Sequence, residues 1–193
     1  MWKIFEGKAK KYDEWYDKNR EIFEKEVKCI KSLIEGKKIV EIGVGTGRFA
    51  EKLKVEIGLD ASLDMLKIAK KKLEVVRGDA HNLPFKNSTF DCTLFVVTLC
   101  FLNNPIEALK EAHRILKANG CLIAAIVPAN SELGKKYIEK ARQGHEFYSK
   151  AKFYTIREIE EMLEKAGFKV VDRKSIGVVS VSDFVCIKAL KVE

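Results

Sequence analysis

The chain has 193 residues, 47% hydrophobic and 33% charged, with 36 lysines and arginines against 28 aspartates and glutamates, for a net charge of +8. That length can bury a central sheet between helices without disulfides or metals, and the composition excludes disordered and fibrous classes. No apolar run approaches the roughly 20 residues of a membrane-spanning helix, and Met1-Trp2-Lys3-Ile4-Phe5-Glu6 lacks the apolar stretch of a secretory signal, so one cytoplasmic domain over residues 1–193 is expected.

The positive charge would favour a polyanion if it gathered on one face. Instead Lys67, Lys70, Lys71 and Lys72, and Lys135, Lys136 and Lys140, read as outer helix faces, and glutamates are interspersed elsewhere. The five cysteines are odd in number and contain no Cys-x-x-Cys pair, so neither a disulfide framework nor a metal site is signalled. Cys92, Cys121 and Cys186 fall in apolar runs and are expected in the core.

Residues 1–35 carry apolar positions at helical spacing, Phe5, Ala9, Tyr12 and Tyr16 and then Phe23, Val27, Ile30 and Ile34, which predicts two helices. Short β-branched runs then alternate with amphipathic segments, the pattern of a parallel sheet with helical crossovers. Strands are predicted at Lys38–Ile42, Val55–Leu59, Leu73–Val76, Phe90–Val97 and Cys121–Val127, with Lys169–Ser175 and Val181–Lys188 as an antiparallel pair, seven in all. The fold class is therefore α/β, a Rossmann-like sheet, mostly parallel with a C-terminal antiparallel strand and helices on both faces. Asn104-Pro105-Ile106-Glu107 starts one helix, with Leu109, Ala112 and Leu116 as its stripe and Gly120 as its predicted end; Thr155-Ile156-Arg157-Glu158 is a capping box, with Gly167 closing that helix. Residues 128–153 are the least regular stretch. They lie beyond the carboxyl end of the fifth strand, where open α/β sheets bind ligands, and are expected to face a substrate.

Lys38-Ile39-Val40-Glu41-Ile42 leads into Gly43-Val44-Gly45-Thr46-Gly47, and Phe49, Ala50 and Leu53 follow at helical spacing. A strand, a glycine turn and a helix in that order bring the backbone close to a ligand. Asp60 stands at the end of the second strand, where a carboxylate can take both ribose hydroxyls of a nucleotide cofactor. The dinucleotide fingerprint G-x-G-x-x-G is broken, because Arg48 occupies its third glycine position and the glycine falls one earlier, at Gly47. Acidic Glu41 before the loop suits an amine better than a phosphate.

These motifs resemble the class I S-adenosylmethionine-dependent methyltransferases of the small-molecule type 11 group, which includes ubiquinone and menaquinone biosynthetic enzymes. The resemblance rests on Val40–Gly47, on Gly58-Leu59-Asp60-Ala61-Ser62 with Met65, Leu66 and Ala69, on Gly78–Phe85, on Phe90-Asp91 and on Ala108–Gly120. It implies S-adenosylmethionine as cofactor and S-adenosylhomocysteine as product. It further implies that Glu41, Gly43 and Gly45 face the methionine moiety, that Asp60 binds the ribose, and that Ala61 and Met65 flank the adenine. Asp79 and the backbone of Ala80 would read the adenine edge, and the backbone of Val96 and Val97 would hold the amine. Residues 5–16 resemble the helical lid of such enzymes, making Tyr12, Trp15 and Tyr16 candidates for acceptor contact, along with Cys100 and, in the insertion, Phe147, Tyr148 and Phe153. The family's frequent histidine after the fourth strand is replaced by Thr98-Leu99-Cys100-Phe101, so no catalytic base is assigned; His81, His113 and His145 are expected at the surface. The expected acceptor is a small molecule. An RNA methyltransferase is the alternative that the charge permits, although the Asn/Asp-Pro-Pro-Tyr of amino-group modifiers is absent. An NAD-dependent oxidoreductase is a further alternative, disfavoured by Arg48.

Overall fold

The computed structural model describes residues 2–177 and 183–192. A short 3-10 turn, Trp2–Phe5, precedes two helices, α1 (Ala9–Lys18) and α2 (Arg20–Lys31). The repeating unit follows as β1 (Ile39–Ile42), α3 (Arg48–Leu53), β2 (Ile57–Asp60), α4 (Leu63–Ala69), β3 (Glu74–Arg77) and β4 (Phe90–Val96). Next come α5 (Pro105–Ile115), β5 (Leu116–Ile126), α6 (Glu132–Arg142), α7 (Ile156–Lys165), β6 (Phe168–Ile176) and β7 (Phe184–Lys191).

The seven strands form one sheet in the order β3-β2-β1-β4-β5-β7-β6. The first five are mutually parallel, and β7 runs antiparallel to both β5 and β6. Period-2 alternation feeds two cores from the same strands. In β5, Leu122, Ala124 and Ile126 pack with α5 and α7, whereas Cys121, Ile123 and Ala125 pack with α2 and α3 on the other face. Because both faces are covered, the central strands read as continuous apolar runs. Cys92, Cys121 and Cys186 are all buried, as their runs imply.

Three expectations change. Gly120 does not end α5: the helix stops at Ile115, Leu116 already pairs with Phe90, and the left-handed residue of the turn is Asn119, at φ 59°. Residues 128–153 are not irregular, because Ser131 Oγ accepts from Gly134 N at 2.9 Å and starts the 11-residue α6. Of α6 only Gly134 is fully buried, but Leu133, Tyr137, Ile138 and Ala141 recur at helical spacing on its partly buried face. The last strand begins at Phe184; Val181 and Ser182, assigned to it from the sequence, lie outside the described residues. The parallel order reverses between β1 and β4, and the crevice at their carboxyl ends is where an open sheet of this kind presents its ligand site.

Candidate active site

A cavity of about 270 Å³ opens at those carboxyl ends. Its floor is the loop after β1. A side chain at Gly43 would strike Thr98, with Cβ only 2.4 Å from Cγ2, while Gly45, at φ 54°, faces open space with only Tyr12 near. The first glycine thus permits close packing of β1 against the end of β4, and the second leaves backbone exposed to the cavity.

Asp60, at the end of β2, accepts from Gly45 N at 2.9 Å and from Ser62 N at 2.8 Å, tying together the loops after β1 and β2 that border the cavity. Burial raises its pKa against the opposing effect of those hydrogen bonds. Glu41 is only 2% exposed, and its Oε2 has no hydrogen-bond partner among the described residues. Burial, and secondarily the charge of Asp60, holds its carboxyl well above the usual range. A buried carboxyl lacking a donor costs free energy until a cation or donor reaches it.

The far end of the cavity is made by Ala61, Met65, Asp79 and Ala80. Asp79 Oδ1 accepts from His81 N at 2.9 Å and lies 2.6 Å from His81 Nδ1; the backbone bond comes first among the causes that hold the Asp79 carboxyl below its ordinary value. His81 therefore lines the cavity rather than standing apart at the surface. Val96 and Val97 close the side nearest β4. Val97 has φ 51°, a conformation that a β-branched residue adopts only when its surroundings impose it, and nothing in the sequence marks it.

Among the ten positions assigned to a cofactor from the sequence, all but Glu41 line this cavity, and Glu41 is buried in β1 leading into the loop. The roof is aromatic. Phe5 meets Phe101 edge-on at 5.1 Å, stacks on Phe147 at 5.6 Å and touches Tyr12 at 6.0 Å. Phe5 and Phe101 are not among the contacts assigned from the sequence; Phe101 and Phe147 lie roughly 100 and 140 residues from Phe5, beyond any local pattern. Of the lid candidates, Tyr12 lines the cavity, whereas Tyr16 is buried against Phe23 and Phe49 with its hydroxyl 2.9 Å from that of Tyr12, and Trp15 is 36% exposed.

Polar contacts hold α1 down. Asp13 receives Arg48 Nε at 2.6 Å and Nη2 at 2.8 Å, together with Thr46 Oγ1 at 2.6 Å, and Asp17 takes Arg48 Nη1 at 2.7 Å. Glu6 accepts from Ser62 Oγ at 3.0 Å, and Lys8 and Lys11 pair with Glu146 ahead of Phe147.

A second cavity, of about 50 Å³, lies beyond β4 and β5 and shares Val97 and Phe101 with the first. Cys100, Tyr137, Tyr148, Phe153 and Tyr154 are among its walls. Tyr137 and Tyr148 stack at 4.2 Å, and His145 stacks on Tyr148 at 4.3 Å. Cys100 Sγ donates to Val97 O at 3.4 Å, and burial pushes the thiol up to about 12. His113 is spent on Val192 O at 2.9 Å.

This architecture recurs in known proteins. A family profile described as a methyltransferase domain matches residues 40–124. The chain is 41% identical over 167 residues to an uncharacterized protein of Methanocaldococcus jannaschii, covering 86% of this chain and 81% of that protein. It is 32% identical over 165 residues to a demethylmenaquinone methyltransferase of Thermotoga maritima, covering 71% and 72%. The crystal structure of a SAM-dependent methyltransferase from Thermotoga maritima, described as a "possible histamine N-methyltransferase", superposes with a TM-score of 0.91 at 39% identity, covering 99% of this chain and 100% of that one. The fold, the glycine loop between β1 and α3 and these relatives together establish that the chain belongs to the class I S-adenosylmethionine-dependent methyltransferases.

Proposed function

We propose that the 270 Å³ cavity binds S-adenosylmethionine and that the chain, as one domain, transfers its methyl group to a small molecule held under α1. The observation that carries this reading is Glu41, a buried carboxyl with an unpartnered oxygen leading into the Gly43–Gly45 cradle. The amine of the methionine moiety would satisfy it, whereas a dinucleotide's pyrophosphate at the same loop carries only acceptors and could not donate to that oxygen. Asp60 uses part of its acceptor capacity on Gly45 and Ser62, and a carboxylate's remaining lone pairs are available to the ribose hydroxyls. Ala61 and Met65 would flank the adenine, with Asp79 and the Ala80 backbone reading its edge and the backbone of Val96 and Val97 helping to hold the amine.

When bound, the cofactor supplies an electrophilic methyl group on a sulfonium. The protein's contribution is alignment and exclusion of water. Phe5, Tyr12 and Phe101 form the dry roof, and Val97 stands where the two cavities meet. Cys100 is held neutral by burial, and His81, whose Nε2 accepts from Asn104 N at 3.4 Å, lines only the first cavity, so neither is placed as a base at that junction. The relatives differ in the acceptor their names give, demethylmenaquinone in one and, in the other, the histamine of a "possible histamine N-methyltransferase".

Titration calorimetry with S-adenosylhomocysteine and with NAD tests the reading. S-adenosylhomocysteine is expected to bind, and Asp60→Ala to weaken it by about 1–3 kcal/mol, the cost of losing a buried hydrogen-bonding carboxylate. Binding of NAD alone would overturn the proposal.

A further inference from the structure

We infer that the second cavity takes the apolar end of the acceptor and selects an uncharged molecule. This rests on methyl transfer from the first cavity, because Val97 and Phe101 are walls of both and a group seated in one abuts the other.

The selection follows from what the walls can offer. Val97, Leu99, Phe101, Ile126, Val127 and Phe153 present hydrocarbon, and among the described residues no side chain lining the cavity is charged. Of the polar groups that line it, Cys100 donates to Val97 O, and the others are the neutral hydroxyls of Tyr137, Tyr148 and Tyr154. Among the described residues a buried anion would find no cationic side chain there, and a buried cation no carboxylate.

Nor do the rings form a vacant cage for a cation. Tyr137 and Tyr148 lie nearly parallel, 17° apart, and so cover each other's faces. Lys152 Nζ already sits 5.1 Å from the centre of Tyr154, and Lys140 Nζ 6.0 Å from that of Tyr137. A cationic ligand would therefore meet ring faces that lysines occupy, and would add like charge to them. Burial of apolar surface is what remains to hold a guest.

Size limits the guest further. On the measure by which one water takes about 10–15 Å³, a cavity of 50 Å³ holds about four, the bulk of one small ring or a short branched chain. The reacting atom then lies at Val97, at the junction. With no base placed there, the acceptor must bring a nucleophile that needs no proton removed by the protein.

Ligand-observed NMR on the full chain, with and without S-adenosylhomocysteine, decides this with three single-ring probes of different charge: p-cresol, histamine and benzoate. p-Cresol is expected to bind at least about tenfold more tightly than either ion. Ala151→Phe, which fills the cavity, is expected to weaken p-cresol by about tenfold or more while changing S-adenosylhomocysteine affinity by less than about twofold. Ala151→Leu serves if the larger side chain prevents folding. Histamine or benzoate binding as tightly as p-cresol would overturn the inference, as would p-cresol binding that neither variant weakens. If the wild type fails to bind S-adenosylhomocysteine, the cofactor reading falls, while p-cresol and the filled variants on the free chain still decide what the cavity selects.

Discussion

Glu26 and Glu41 are carboxyls that the fold removes from water, and they do so for different ends. Glu41 leads into a ligand cradle, whereas Glu26 lies on the buried face of α2, where burial, and secondarily Cys29, pushes its pKa up to about 8. An unfolded glutamate titrates near 4.3. The folded chain therefore holds a proton that the unfolded chain releases, and stability falls as pH rises from about 4 to about 8. Glu26→Gln removes that dependence. Thermal melts should show the variant level with the parent at pH 4 and more stable than it at pH 9, by up to a few kcal/mol, since each unit of displacement is worth about 1.4 kcal/mol. Equal melting differences at both pH values would show that Glu26 is ionised in the fold. Neither the burial of Glu26 nor the φ of Val97 was legible in the sequence, because both depend on what packs against them. That Asp60 and Gly45 would border the cavity was legible because both stand at strand ends.

At the scale of elements, α1 is held to the rest of the molecule by the glycine loop. Arg48, the residue that breaks the dinucleotide fingerprint, forms a bidentate pair with Asp13, and Thr46 of the same loop donates to that carboxylate as well. Burial acts to raise the Asp13 pKa, but the bonds from Arg48 and Thr46 outweigh it and hold the carboxyl below its ordinary value. Both partners are about a fifth exposed, so the pair is worth less than a fully buried one. Arg48→Met is expected to cost about 1–2 kcal/mol and to expose residues 2–18 to limited proteolysis before the sheet is cut. A digestion pattern identical to the parent's would show that α1 is held by its aromatic contacts alone. The caps at Asn104 and Thr155 were readable because they act within one helical turn; the Ser131 cap of α6 and its Leu133, Tyr137, Ile138 and Ala141 at helical spacing are local signals of the same kind.

For the whole molecule, the net charge of +8 raises the question of a nucleic-acid partner. Many of the basic residues are neutralised locally: Lys8 and Lys11 by Glu146, Arg48 by Asp13 and Asp17, Arg114 by Glu111, Lys117 by Asp91 and Lys188 by Glu35. The roof of Phe5, Tyr12 and Phe101 over a first cavity of about 270 Å³ also has the proportions of a small-molecule site. Filter binding of tRNA across a salt series is expected to show weak retention, with no steep fall in log K against log salt. A slope of several units would signal phosphate contacts and favour an RNA acceptor.

What the sequence determined by itself is whatever acts over a few residues: the alternation of strands and crossovers, the caps, the glycine spacing that separates this loop from a dinucleotide fingerprint, and the acidic residues at strand ends. These signals are local because backbone conformation and hydrogen bonding are settled within a turn or a strand. The tertiary structure alone decided that Phe5 would meet Phe147, that Arg48 would clamp Asp13, that Val97 would be strained between two cavities, and that the second cavity would hold no charge. Those features join residues tens to more than a hundred positions apart, brought together by the sheet order and by the packing of α1 and α6 over its carboxyl ends, and no period in the chain encodes such a meeting.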